Sequence, residues 1–189
     1  MKRSAYIPLL LLLILAIFIF VRYTQNYKKT EQKFSQLNKQ LSMKITSPAF
    51  ENNQSIPPKY TCNGENINPP LEFSDVPPDT KSLVLIVDDP DAPMGTWVHW
   101  VIYNIDPSVR TIEENSIPQN GIQVNTSFGK PGYGGPCPPS GTHRYFFKLY
   151  ALNKMLTLDE NPSKQTVENA MKDSIIAKAE LVGLYNQHK

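Results

Sequence analysis

Two of the chain's three histidines stand in rigid, motif-like surroundings. His143 closes the run Tyr133-Gly134-Gly135-Pro136-Cys137-Pro138-Pro139-Ser140-Gly141-Thr142-His143-Arg144-Tyr145, in which prolines lock φ and glycines permit close backbone approach. His99 lies two residues after Trp97, and Asp88, Asp89 and Asp91 cluster shortly before it. The third, His188, belongs to the tail. Two imidazoles and a carboxylate can ligate a metal, assist a nucleophile or hold an anion. The spacing lacks the H-x-H or H-x-x-x-H pattern of a metal site. Ser140 lacks a nucleophile-elbow context, and Cys137 is flanked by Pro136 and Pro138. Anion binding suits the donors best: imidazole N–H groups, the backbone N–H groups of the Gly135 loop and the Tyr145 hydroxyl, with an aspartate to fix the imidazole tautomer. The plain alternative is that His99 caps the core through buried hydrogen bonds.

These residues converge only if strands bring them together. Lys81–Val87 is a nearly continuous apolar run bounded by turn residues, and it ends at Asp88-Asp89. Trp97–Ile105 reads as a central strand, with His99, Val101, Tyr103 and Ile105 on one side and Val98, Trp100 and Ile102 on the other. Arg144–Leu152 is the third long strand. Shorter strands are expected at Lys44–Ser47, Leu71–Phe73 and Leu181–Tyr185. One helix is expected over Thr166–Lys178, where Val167, Ala170, Met171, Ser174, Ile175 and Lys178 recur at helical spacing behind Ser163 or Thr166 as N-cap. The sum is a mainly β domain, a sandwich with one or two short helices.

A different solvent is indicated at the N-terminus. Met1-Lys2-Arg3 precedes an uncharged apolar run, Ile7 to Val21, near the boundary between a spanning helix of roughly 17–25 residues and a signal-peptide core of about 7–15. Bulky residues after the run leave no A-x-A-like cleavage site, which favours an uncleaved anchor over a secreted, processed form. Basic residues lie on both sides, so a short tail and a large C-terminal domain, rather than the positive-inside rule, place the domain outside the cytoplasm. Residues 1–24 are thus a signal-anchor or transmembrane segment, 25–40 a polar stalk with frayed helical character, and 41–189 one domain. The net charge of +2 is small and its cations do not form a stripe, so nucleic acid is not an expected partner. Cys62 and Cys137 both occupy Pro/Gly-rich loops; an extracytoplasmic location suits a disulfide between them, and two buried thiols are the alternative.

Three ordered motifs carry a resemblance. Asp89-Pro90-Asp91-Ala92-Pro93, then Trp97-x-His99, then Gly135-Pro136-x-Pro138-Pro139-x-Gly141-x-His143-Arg144-Tyr145 resemble the phosphatidylethanolamine-binding protein family. Tyr60-Thr61-Cys62-x-Gly64-Glu65-Asn66-x-x-Pro69-Pro70-Leu71 is similar to its bacterial and archaeal branch, called Raf-kinase-inhibitor-like. The resemblance covers Leu41–Lys189 and implies an antiparallel β-sandwich with a small cavity for phosphate-like anions and phospholipid head groups. Carried over by position, the cavity comprises Asp89, Trp97, His99, Gly135, Pro136, His143 and Tyr145. It implies no catalytic residue, no metal and no cofactor. Cys137 within the Gly/Pro loop, and the absence of a further helix after Leu181–Tyr185, depart from the eukaryotic pattern of a gated pocket and kinase regulation.

The expected function is therefore a membrane-tethered, extracytoplasmic binding protein that modulates rather than catalyses, with a small anion or a phospholipid head group in its pocket and a protease or kinase as protein partner. A serine protease inhibitor acting through an exposed loop such as Asn115–Phe128 is the alternative, and a hydrolase built on His99 and Asp89 is the third reading.

Overall fold

The computed structural model describes residues 6–40 and 42–186, without side-chain detail for 6–10 and 34–40. His188 and the charges of Lys2 and Arg3 lie outside the described residues. The chain divides into two units, Met1–Leu41 and Ser42–Lys189.

The first unit is a single helix, α1, Tyr6–Gln40. Apolar run and polar stalk are continuous, because nothing after Pro8 breaks the helix and Gln, Lys, Glu and Leu are all good helix formers. At 35 residues it is about 52 Å long. Leu11–Lys33 is long and apolar enough to cross a bilayer, with mean hydropathy 1.2, and a signal sequence at an N-terminus has the same character. Its apolar side chains from Leu11 to Val21 are exposed.

The second unit is mainly β. A three-stranded antiparallel sheet has the order β1-β3-β6, with β1 at Lys44–Thr46, β3 at Leu71–Ser74 and β6 at Thr111–Ile112. A six-stranded sheet has the order β2-β9-β8-β4-β5-β7: β2 is Gln54–Ser55, β4 Ser82–Asp89, β5 Trp97–Ile105, β7 Ile122–Gln123, β8 Thr142–Leu152 and β9 Ile175–Asn186. This sheet is antiparallel except at its edge, where β2 runs parallel to β9, so the expectation of a purely antiparallel architecture is corrected there.

Two clusters hold the unit together. Ile45, Leu71, Phe73 and Ile112 of the small sheet share one core with Leu83, Leu85, Val87, Trp100, Ile102, Phe147 and Leu149 of the large one. On the other face, Val84, Ile86, Val101, Tyr103 and Leu152 pack beneath helix α2, Lys164–Met171, through its Val167 and Met171. Burying a Leu, Ile or Phe side chain contributes roughly 1.5–3 kcal/mol, and β4 is buried along its whole length.

α2 starts where expected, with the Ser163 Oγ accepting from Thr166 N, but it is shorter than the sequence pattern. Its last turn tightens into a 3-10 helix at Lys172–Ser174, and the β-branched pair Ile175-Ile176 enters β9, which pairs with β8 from Leu152↔Ile175 to Thr142↔Asn186. Strand pairing overrides helical periodicity there.

Candidate functional site

Antiparallel pairing on both sides of β4 puts its C-terminal end beside the first residues of β5 and β8. Asp89 stands opposite Trp97, and Asp88 opposite both Val98 and Phe146. The alternation along β5 does not survive to this end. Val87 pairs with Trp100 but Asp88 with Val98, so His99 is the additional residue of a β-bulge. Val98 packs with the cluster beneath α2 and Trp100 with the core between the sheets. The bulge turns His99 and Trp97 to the pocket side, away from Val101 and Tyr103. A second shift, next to Asn104 at φ 58°, moves Ile105 to the face of Trp100 and Ile102. The expected grouping of His99 with Val101, Tyr103 and Ile105 is therefore corrected.

The pocket at these strand ends has a volume of about 240 Å³. Asp89, Trp97, His99, His143 and Tyr145 line it, together with Met94, Phe128, Cys137, Pro138 and other apolar groups. Gly135 and Pro136 do not line it; they stand behind its wall. Gly135 N donates to Asn66 Oδ1 at 2.7 Å, and a Cβ on Gly135 would lie 2.5 Å from the Tyr60 carbonyl oxygen. Pro136 O accepts from Cys62 N at 3.1 Å, and a disulfide joins Cys62 to Cys137. The Gly/Pro loop is thus fastened to the 60–66 loop by backbone and covalent bonds at once.

Each of the two pocket histidines has one nitrogen committed. His143 Nδ1 donates to Asp89 Oδ2 at 2.7 Å, while Asp89 Oδ1 accepts from Asp91 N at 2.8 Å. His99 Nδ1 donates to the Gly134 carbonyl at 2.5 Å, and Gly134 N returns a bond to the His99 carbonyl. Burial holds His99 below its ordinary pKa, against the opposite pull of the Gly134 carbonyl, Asp89 and Asp88. Tyr145 is 1 % exposed, and its hydroxyl lies beside the Asp89 carboxylate and the Cys137 backbone without a hydrogen bond of good geometry to either. Burial, and then the Asp89 charge, keep that phenol well above its usual range. Edge-to-face contacts of His99 with Tyr145 at 5.2 Å and with Phe128 at 5.5 Å fix the ring, and Phe128 also meets Trp97 at 5.5 Å.

The three aspartates of one sequence cluster do three separate things. Asp89 faces the pocket. Asp91 takes a two-pronged contact from Arg144, at 2.9 and 2.7 Å, and a third from Arg144 N, which together lower its pKa to about 2 and pin the β4–β5 turn to β8. Asp88 points to the opposite face, fully buried between Lys148 at 2.7 Å and Lys164 at 2.8 Å, and Lys164 also reaches Glu168 at 3.3 Å.

This arrangement can hold a small ligand by a hydrogen bond from Tyr145 and by bonds at the two imidazole Nε2 atoms, which donate only when the rings are protonated. Among the described residues no cluster of three or more His, Cys, Asp or Glu is placed to hold a metal. Cys137 is in a disulfide and Ser140 is not among the pocket residues, so neither candidate nucleophile is in place. Sequence reasoning missed Phe128, which belongs to none of the motifs. Only Gly134 signals it: a Cβ there would lie 2.3 Å from the Phe128 ring.

Comparisons with known proteins agree on one family. Residues 46–186 match the model of the phosphatidylethanolamine-binding protein family. A UPF0098 protein of Methanothermobacter thermautotrophicus is 48% identical over 150 residues, covering 77% of this chain and 99% of the relative. A second UPF0098 protein, from Pyrococcus horikoshii, is 48% identical over 157 residues, covering 78% of each chain. Among solved structures, a putative phosphatidylethanolamine-binding protein homologue from Chlamydia trachomatis superposes with a TM-score of 0.75 at 45% identity, over 78% of this chain and 99% of that one. E. coli YbcL, described as a new member of the mammalian family, gives 0.73 at 31% identity, with the same coverage.

Proposed function

The chain belongs to the phosphatidylethanolamine-binding protein family, and on that footing we propose that its domain is a binding module whose pocket takes a small anion or the phosphate of a phospholipid head group, modulating partners rather than catalysing a reaction. On our reading the two sheets form the sandwich of that family. The observation that carries the proposal is the buried Tyr145 hydroxyl without a well-made hydrogen bond, beside two imidazoles that each have one nitrogen free of protein partners. A buried donor with only poorly aligned neighbours is costly, and a ligand oxygen or water that meets it squarely lowers that cost. The volume of about 240 Å³ lies below the roughly 300–1,000 Å³ of drug-sized sites, which supports a small head group.

His143 offers the sharpest test. His143→Ala should weaken binding of methyl phosphate by about 1–3 kcal/mol, with the cooperative thermal transition retained. Unchanged affinity together with a large fall in Tm would make His143 a core residue instead.

We further propose that α1 anchors the domain to a membrane, with the domain on the extracytoplasmic side. The exposed apolar surface of Leu11–Val21 and the disulfide Cys62–Cys137 support this placement. The full chain should sediment with membranes and keep its N-terminal segment; a mature terminus between Val21 and Thr30, read by mass spectrometry, would show a secreted protein. No observation favours the protease-inhibitor reading. The middle of Asn115–Phe128 is tied down as β7, and Val124 is buried.

A further inference from the structure

The tautomer of His99 has a consequence for how the pocket takes its ligand. A carbonyl oxygen has no proton to give, so the 2.5 Å contact with Gly134 O requires the proton on His99 Nδ1. In the neutral ring Nε2 then carries a bare lone pair, and it is the only ring atom left to hydrogen-bond a ligand. The groups facing the ring are Asp89 and Asp88 from β4, His143 and Tyr145 from β8, and Phe128 with the Gly134 carbonyl from the loops. The aspartates favour a charged ring and His143 disfavours it, but Asp89 is bound to His143, Asp88 faces two lysines, and the ring is only 3 % exposed. Burial outweighs the aspartates, so the charged form of the ring is disfavoured.

A dianionic phosphate has only acceptors to offer. Against Tyr145 O–H this makes a hydrogen bond; against a bare Nε2 it makes a clash of lone pairs. We propose that the pocket takes up its phosphate-bearing ligand together with one proton from water, which comes to lie between a ligand oxygen and His99 Nε2. No covalent bond to carbon or phosphorus changes. His99 is thereby the group that couples ligand uptake to pH. This inference rests on the anion-pocket reading and adds its proton linkage.

The linkage has a definite sign. A phosphate monoester loses its second proton near pH 6, and an ordinary histidine near 6.5, a value that burial of His99 moves lower. At pH 5 methyl phosphate carries a proton of its own, so less is drawn from solution. At pH 8 neither partner carries it, so it is drawn from solution and affinity falls about tenfold per pH unit above pH 7.

The test is calorimetry of methyl phosphate binding to the full chain in maltoside micelles, in two buffers of different ionisation enthalpy. Close to one proton taken up per ligand at pH 8, with uptake decreasing toward acid pH, is the expected result; no uptake at pH 8, with binding intact, overturns the proposal. In His99→Gln, whose amide N–H donates without titrating, the pH dependence should flatten between pH 7 and 9, and an unchanged slope would assign the proton elsewhere and sink the idea. Should that variant not fold, the ¹⁵N signal of wild-type His99 decides: Nε2 must leave the bare lone-pair region on binding at pH 8, and a signal that stays there is contradictory. Absence of saturable binding at both pH values defeats the pocket reading itself, a different outcome from binding without a proton.

Discussion

Asp88→Ala is expected to destabilise the domain by about 3–5 kcal/mol, lowering Tm by roughly 10 °C or more. Asp88 is fully buried, and both of its oxygens face lysine ammonium groups, Lys148 from β8 and Lys164 from α2. Removing the carboxylate leaves two cations and a void at the end of a strand that is buried throughout. The lysines are less critical, because each retains some exposure, 26% and 19% of the side chain, and can turn toward water. Lys148→Met should therefore cost less than Asp88→Ala. Equilibrium denaturation in urea measures both. A loss below about 1 kcal/mol for Asp88→Ala would mean that the carboxylate is not the anchor that joins α2 to the sheet.

The paired replacement Cys62→Ser with Cys137→Ser is expected to cost about 2–4 kcal/mol. The bridge spans 75 residues, so its removal frees a long loop in the unfolded chain. The folded state loses less: Cys62 N still donates to Pro136 O, Gly135 N to Asn66 Oδ1, and Tyr133 Oη to Tyr60 O. Affinity for methyl phosphate should then fall far less than stability does. Chemical denaturation of the two proteins without reductant tests the first statement, and a stability difference below about 1 kcal/mol would contradict it. Protein isolated without reductant should also show no alkylatable thiol at these two positions; two reactive thiols would remove the extracytoplasmic argument with the bridge.

What the sequence made legible was the set of long strands and the convergence of their ends. The bounds of β5 match because Trp97–Ile105 is apolar on both faces; β4 runs on past Val87 to Asp89 and β8 begins at Thr142 rather than Arg144, because pairing extends each strand into the polar residues that bound its apolar run. Antiparallel neighbours then leave no choice about where Asp89, Trp97 and His143 meet. Other features are absent from local patterns. A one-residue bulge at His99 changes which face every earlier residue takes, and nothing in Trp97-Val98-His99-Trp100 marks it. The same limit applies to Asp88, Asp89 and Asp91, which look like one acidic cluster and serve a core anchor, a pocket and a turn. Gly135 and Pro136 belong to the motif that signals the pocket, but they act from behind it, by fastening the loop to residues 60–66. The helix ended early because Ile175 and Ile176 were needed by β9, a non-local requirement. α1 ran on through the polar stretch because its composition favours helix even where no apolar face is required.

One measurement bears most directly on the central claim, that the pocket at the ends of β4, β5 and β8 binds a phosphate group. The full chain, labelled with ¹⁵N in its histidine rings, is titrated with methyl phosphate at pH 6 while the imidazole signals are followed. Because His99 and His143 line the same small cavity, both should shift together and saturate with one dissociation constant. Imidazole signals of His99 and His143 that stay in place, or drift without saturating while the domain remains folded, would contradict the account.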